Sequence, residues 1–124
     1  MKQKNYQKGK TGEDIAASYL QGIGFKIIEK NFSTRFGEID LITVKNNCLV
    51  FVEVKLRVGE EFGTPEELIN KRKISQVRRM AEMFLLKNKK MANTYQSQRI
   101  DAVAIVVSQN YEVERINHYE NIGI

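Results

Sequence analysis

Hydrophobic positions along the chain change period from helical to alternating and back. Ile15, Ala16, Tyr19, Leu20 and Ile23 recur at spacings of three and four, which predicts an amphipathic helix beginning after Thr11. Thr11 can cap that helix with Asp14 three residues on, and Gly22 and Gly24 end it. Three runs rich in β-branched and aromatic residues follow, at Phe25 to Phe32, Glu38 to Val44 and Cys48 to Leu56. Lys45-Asn46-Asn47 reads as a tight turn, so residues 36 to 56 form a hairpin. Thr64-Pro65-Glu66-Glu67 combines a capping threonine, proline at the first helical position and glutamate three residues after the cap. The helix it starts is expected to run to about Leu86, with Ile69, Val77, Met80, Ala81, Phe84 and Leu85 on its core face. Arg99 to Val107 and Glu112 to His118 read as two further strands. The order α-β-β-β-α-β-β predicts an α/β fold, a mixed sheet with a helix packed on each side. A single domain over residues 11 to 124 is expected, preceded by a flexible basic arm over residues 1 to 10.

The strand pattern is interrupted by charge at one place. Cys48 to Val54 reads as a strand buried on both faces, yet Glu53 and Lys55 lie two apart and project together, away from Val52 and Val54. Charges leave such a run only when something compensates them. Asp40 belongs to the preceding strand of the same hairpin, and Glu13 lies near the start of the first helix, where it can complete a carboxylate cluster. Converging carboxylates repel and take up protons unless a cation joins them, and Mg²⁺ prefers oxygen ligands of this kind. Two plainer readings stand beside this one: a cross-strand salt bridge of Asp40 or Glu53 with Lys55, and a Glu13 held by the positive end of the helix dipole.

Composition narrows the chemistry. One cysteine, Cys48, excludes an internal disulfide, and a single histidine, His118, leaves no His/Cys cluster for zinc, so a metal would be held by oxygen. Cys48 reads as a small buried hydrophobe and His118 as an ordinary residue near the terminus. No apolar stretch reaches the ~20 residues needed to span a bilayer, and the polar start Met1 to Lys10 has no apolar segment behind it. A cytoplasmic protein without a membrane partner is expected. Twenty Lys and Arg against fifteen Asp and Glu give a net charge of +5, which favours anionic partners.

The segments Gly12-Glu13-Asp14, Gly37-Glu38-Ile39-Asp40-Leu41-Ile42, Phe51-Val52-Glu53-Val54-Lys55-Leu56-Arg57, Phe62-Gly63-Thr64-Pro65 and Arg99-Ile100-Asp101 span most of the chain. In order and spacing they resemble the bacterial YraN family. That family is similar to Holliday-junction resolvases and other PD-(D/E)XK nucleases, whose restriction-endonuclease-like fold is a mixed sheet flanked by helices. The resemblance implies a Mg²⁺- or Mn²⁺-dependent endonuclease acting on DNA, branched or structured DNA in particular. Carried over by motif, Asp40 and Glu53 would be metal ligands, Lys55 the motif lysine, and Glu13 the helix carboxylate of resolvase-like members. The proline of the superfamily name is absent, since Ile39 precedes Asp40.

On this reading Asp40 and Glu53 hold the metal with Glu13 and the carbonyl of Val54, and Lys55 orients the attacking water or balances transition-state charge. Glu38, expected on the face of Asp40, is a second acid behind the ligands or an occasional ligand, and Gln76 a polar group positioned at the site or, more plainly, an exposed glutamine. Arg57, Lys71, Arg72, Lys73, Arg78 and Arg79 are the candidate phosphate contacts, each also readable as part of a solvated helix face. Lys2, Lys4, Lys8 and Lys10 can clamp a branch or simply keep the protein soluble, and Tyr6 can stack on a base. Phe62-Gly63-Thr64-Pro65 reads as loop and cap chemistry. Symmetric cutting of a four-way junction would require a two-fold homodimer. Two other classes stay open: a nucleic-acid-binding module that recruits a partner with a vestigial acidic site, and an interaction module whose acids form an ion-pair network.

Overall fold

The computed structural model describes residues 8–123. The elements are α1 (Lys8–Gly22), β1 (Lys26–Thr34), β2 (Gly37–Lys45), β3 (Cys48–Val58), a 3₁₀ turn (Pro65–Leu68), α2 (Lys71–Lys87), α3 (Lys89–Thr94), β4 (Ser97–Val107) and β5 (Val113–Tyr119). The strands form one mixed sheet in the order β1-β2-β3-β4-β5, in which β3 and β4 are parallel and the other neighbours antiparallel. This is the arrangement expected of a restriction-endonuclease-like fold.

Alternation along β3 sends its side chains to two cores. Val50, Val52 and Val54 pack with Ala16, Ala17 and Leu20 of α1, while Leu49 and Phe51 pack with Val77, Met80, Ala81 and Phe84 of α2. One helix therefore covers each face. The β2–β3 hairpin turns at Asn46 and Asn47, both at positive φ, the backbone that a two-residue turn of this type requires.

The helices depart from the sequence expectation in three places. α1 starts at Lys8 rather than after Thr11, so Thr11 lies inside the helix and its buried Oγ1 has no hydrogen-bond partner there. A Cβ on Gly12 would meet Leu56 Cβ at 3.2 Å, so glycine lets α1 lie against β3. The expected basic arm accordingly loses residues 8–10 to α1, and the rest of it, with Lys2, Lys4 and Tyr6, lies outside the described residues. The helix expected from Thr64 to Leu86 is two pieces. The Thr64 N–H donates to Glu67 Oε1 at 3.3 Å, but only one 3₁₀ turn follows before Asn70 opens α2 by accepting from the Lys73 N–H at 2.9 Å. Asparagine competes with the helical backbone for its own donors, and at this position it wins. Asn88 then ends α2, donating to the Phe84 carbonyl at 2.9 Å, and α3 follows without having been anticipated.

Asp101 anchors the end of the chain. It is fully buried on β4 and accepts from Arg99 Nε at 3.0 Å, Arg99 Nη2 at 3.2 Å and the Asn121 N–H at 2.9 Å, with His118 Nε2 at 2.8 Å. His118 is therefore no ordinary terminal residue: its ring is buried between Tyr19 and Phe25 and tied to Asp101. Among the described residues no helix is long and apolar enough to cross a membrane.

Candidate metal centre and basic groove

The site forms where β2 leaves β3. Paired residues run from Lys45↔Cys48 to Leu41↔Val52 and stop; beyond them the Val54 N–H donates to Asp40 Oδ2 at 2.8 Å. A side chain thus takes over from the backbone ladder and the strands diverge. Alternation on β2 is broken at the same residue, since Ile39 joins the α2-side core and Leu41 the α1-side core. The result turns the Asp40 carboxylate, 8% exposed, into the sheet's open end.

Acids from two other positions meet it there. Carboxylate oxygens of Glu13, Glu38 and Asp40 all lie within 4.8 Å of one another, with Glu13 and Asp40 buried and Glu38 exposed. Glu13 comes from the second turn of α1, which carries no acid in its first turn, so attraction to the helix dipole is not what places it. Glu38, expected as a second acid or an occasional ligand, lies with Glu13 and Asp40. Glu53 is not in that trio but on β3 beside it, close enough for the Asp40 charge to act on it. Its Oε2 faces Lys55 Nζ at 3.2 Å and Lys73 Nζ at 3.7 Å, while Oε1 is buried without a hydrogen-bond partner. The expected pairing of Glu53 with Lys55 is present. Lys73, expected on the substrate surface, reaches into the site as well.

The carboxylates carry more charge than their surroundings neutralise. Burial, followed by the Asp40 charge, pushes the Glu53 carboxyl up to about 7 against the pull of Lys73 and Lys55. Burial also raises Asp40, with Glu38 adding to the rise and the Val54 N–H and Lys55 opposing it. A cation would reverse both effects. The donors fit a hard one: all are carboxylate oxygens, and the orphaned Glu53 Oε1 is an acceptor with nothing donated to it. This cluster can hold a metal ion.

A groove of about 720 Å³ runs beside the site along the start of α2, lined by Lys71, Arg72, Lys73 and Arg79 together with Gln76 and Phe36. Gln76 is half-buried and bridges two neighbours. It accepts from Lys73 Nζ at 3.3 Å and donates to the Phe36 carbonyl at 3.2 Å, linking the acidic site to the β1–β2 turn. Arg57 lies on β3 past Lys55, partly buried, with its Nε lacking a partner. Arg78 lies apart from these residues. It donates to the Gly123 carbonyl and lines a different cavity, on the side of α2 that faces the C-terminal segment. Phe36, Leu68, Asn70 and Ser75 line the groove without having been named from sequence; for Phe36 the signal was an aromatic between Arg35 and Gly37 at a hairpin tip, where polar residues are usual.

The family profile of the uncharacterised protein family UPF0102 matches residues 12–105, which include every acid of this site. The chain belongs to that family. UPF0102 is the YraN family that the sequence motifs resembled. Similar proteins include a UPF0102 protein of Syntrophomonas wolfei, 40% identical over 117 residues, covering 94% of this chain and 97% of that protein. Another, from Sulfurihydrogenibium sp., is 42% identical over 108 residues, 87% of this chain and 91% of its own length. A third, from Clostridium botulinum, is 36% identical over 117 residues, covering 92% and 94%.

Proposed function

We propose that this protein is a cytoplasmic, metal-dependent endonuclease that hydrolyses phosphodiester bonds of DNA, branched or structured DNA being its expected substrate. The observation that carries the reading is Glu53: a buried carboxylate next to Asp40, with one oxygen facing Lys55 and the other without a donor. Asp40, Glu53, Glu13 and Glu38 would hold the ion, with the Val54 carbonyl as a further oxygen, while the Val54 N–H keeps Asp40 oriented. Bound Mg²⁺ or Mn²⁺ supplies charge to the phosphate and lowers the pKa of a coordinated water. Lys55 projects with Glu53 and orients the attacking water or balances negative charge on the five-coordinate phosphorus. The basic groove neutralises flanking phosphates without reading sequence. A pair of symmetric cuts in a four-way junction would need a two-fold dimer to supply the second site.

The ion pairs of Glu53 with Lys55 and Lys73 favour a second reading, a structural charge network on a module that binds nucleic acid without cutting it. One experiment separates the two. Labelled duplex, single-stranded, flap and four-way-junction DNA are incubated with protein in Mg²⁺ or Mn²⁺, with Glu53→Ala as control. Cleavage that disappears in the variant supports the nuclease; binding without cleavage in either metal sinks it.

A further inference from the structure

We propose that the groove beside the acidic cluster takes an unpaired stretch of polynucleotide, with Phe36 as the stacking platform for one of its bases. Phe36 is 51% exposed although its transfer from water would be favourable, and its backbone is pinned on both sides. Its N–H donates to Thr34 Oγ1 at 3.0 Å, and its carbonyl accepts from Gln76 Nε2 at 3.2 Å. Gly37 makes the second contact possible: at φ +144° a Cβ there would meet Gln76 Nε2 at 2.6 Å. Arg35 stands over the ring, 5.0 Å from its centroid, so a cation and an aromatic face are presented together.

Charge selects the occupant. The groove is lined by Lys71, Arg72, Lys73 and Arg79, and no acidic residue is among its lining side chains. That pattern suits a phosphate backbone. A blunt duplex keeps its base faces stacked inside, so a rigid exposed ring at the groove edge gains nothing from it. An unpaired base offers a π-face of any sequence, which is how aromatic residues beside basic grooves hold single strands. Lys73 belongs to both the groove and the acidic site, and Gln76 joins it to the Phe36 carbonyl, which places the unpaired segment next to Glu53. The inference rests on the nuclease reading for its significance, that cleavage occurs beside unpaired nucleotides. Its test needs no cleavage.

Fluorescence anisotropy in EDTA compares labelled oligothymidylate, oligouridylate and a blunt duplex of equal length, for wild type, Phe36→Ala, Phe36→Tyr, Phe62→Ala and Arg72→Ala. Phe62, 86% exposed but not lining the groove, is the control for an exposed aromatic as such. Phe36→Ala is expected to weaken single-strand binding about 10-fold, with duplex binding and the salt dependence unchanged. Phe36→Tyr and Phe62→Ala keep wild-type affinity, and Arg72→Ala weakens every ligand and lowers the salt slope by about one. Loss confined to oligothymidylate assigns the groove to DNA, and loss confined to oligouridylate assigns it to RNA; either supports the proposal. Unchanged single-strand affinity in Phe36→Ala, or an equal loss for the duplex, overturns it. If no substrate is cut in any metal while the Phe36 effect persists, the nuclease reading falls and this one stands.

Discussion

Glu53 should make the metal-free protein less stable as pH rises through the neutral range. In the unfolded chain its carboxyl ionises near the ordinary 4.5, whereas burial and the neighbouring Asp40 hold it protonated up to about 7 in the fold. Between these values the folded state binds more protons than the unfolded state, so stability is complete below pH 4.5 and is lost as pH climbs through 7. At about 1.4 kcal/mol per pH unit the loss comes to ~3 kcal/mol, or ~10 °C in Tm for a domain of this size. Asp40, also raised, works in the same direction. Carboxylates with lowered values do not confuse the window, because Glu66, brought to about 2 chiefly by hydrogen bonds from Arg115, titrates below it.

Thermal unfolding followed by circular dichroism in EDTA between pH 5 and 8 checks this directly. Wild type should lose Tm across the range, while Glu53→Gln, which has no proton to release there, should lose much less. Mn²⁺ binds the ionised form, so added Mn²⁺ should restore wild-type Tm at pH 8 and leave Glu53→Gln almost unmoved. A wild-type protein as stable at pH 8 as at pH 5 without metal would refute the reasoning, and so would a variant with the same slope.

Replacing Lys55 by Met should lower cleavage ~100-fold or more with Mn²⁺ affinity by calorimetry changed little, since the ammonium contacts Glu53 Oε2 rather than standing among the proposed ligands. A parallel loss of metal affinity would reassign Lys55 to holding the site together. Asp101→Ala removes a fully buried acceptor shared by Arg99, His118 and Asn121 and should cost ~3–5 kcal/mol in urea unfolding; a loss below ~1 kcal/mol would remove it as the anchor of the C-terminal segment. Gly37→Ala should cost ~1–3 kcal/mol from backbone strain at positive φ, and should displace Gln76 from the Phe36 carbonyl; unchanged stability would show that the turn relaxes freely.

The acids were legible because local period alone exposes them. Glu53 and Lys55 break an apolar run at spacing two, and any strand assignment puts them on one face. Asp40 was legible as a residue but not as a geometry: its side chain replaces the β2–β3 ladder only because β2 peels away, a tertiary event that no local pattern encodes. The same holds for Glu38, which joins the cluster through that divergence, and for His118, whose pairing with Asp101 depends on the antiparallel register of β4 with β5. Arg78 could have been separated from Arg79 on sequence. Consecutive residues of a helix point about 100° apart, so Arg79 shares the groove stripe with Arg72 and Gln76 while Arg78 turns to the C-terminal segment. The break at Asn70 was hidden by two capping signals, Thr64 and Asn70, that compete within one short stretch.

A cluster of buried acids strains the fold that carries it, and the sheet is built to bear that strain on one side only. Where β2 leaves β3, β4 does not: the parallel ladder continues from Cys48↔Ser97 to Val58↔Val107, so the strand carrying Glu53 and Lys55 stays fixed through the site. Beyond it, Arg115 of β5 pairs with Glu60 and Glu66, and the Tyr119 hydroxyl donates to Glu66 at 2.7 Å, tying the 59–70 connection down to the same edge. The open side is left to Asp40, Glu13 and Glu38, each on an element free of the β3–β4 ladder. Rigidity behind the acids and divergence in front of them follow from a single choice, the pairing of β3 with β4 on one edge and its release from β2 on the other. Loosening β4, as Asp101→Ala would, should therefore disturb Glu53 and Lys55 together with Asp40, which takes its orientation from the Val54 N–H that lies between them on β3, while Glu13 on α1 moves less.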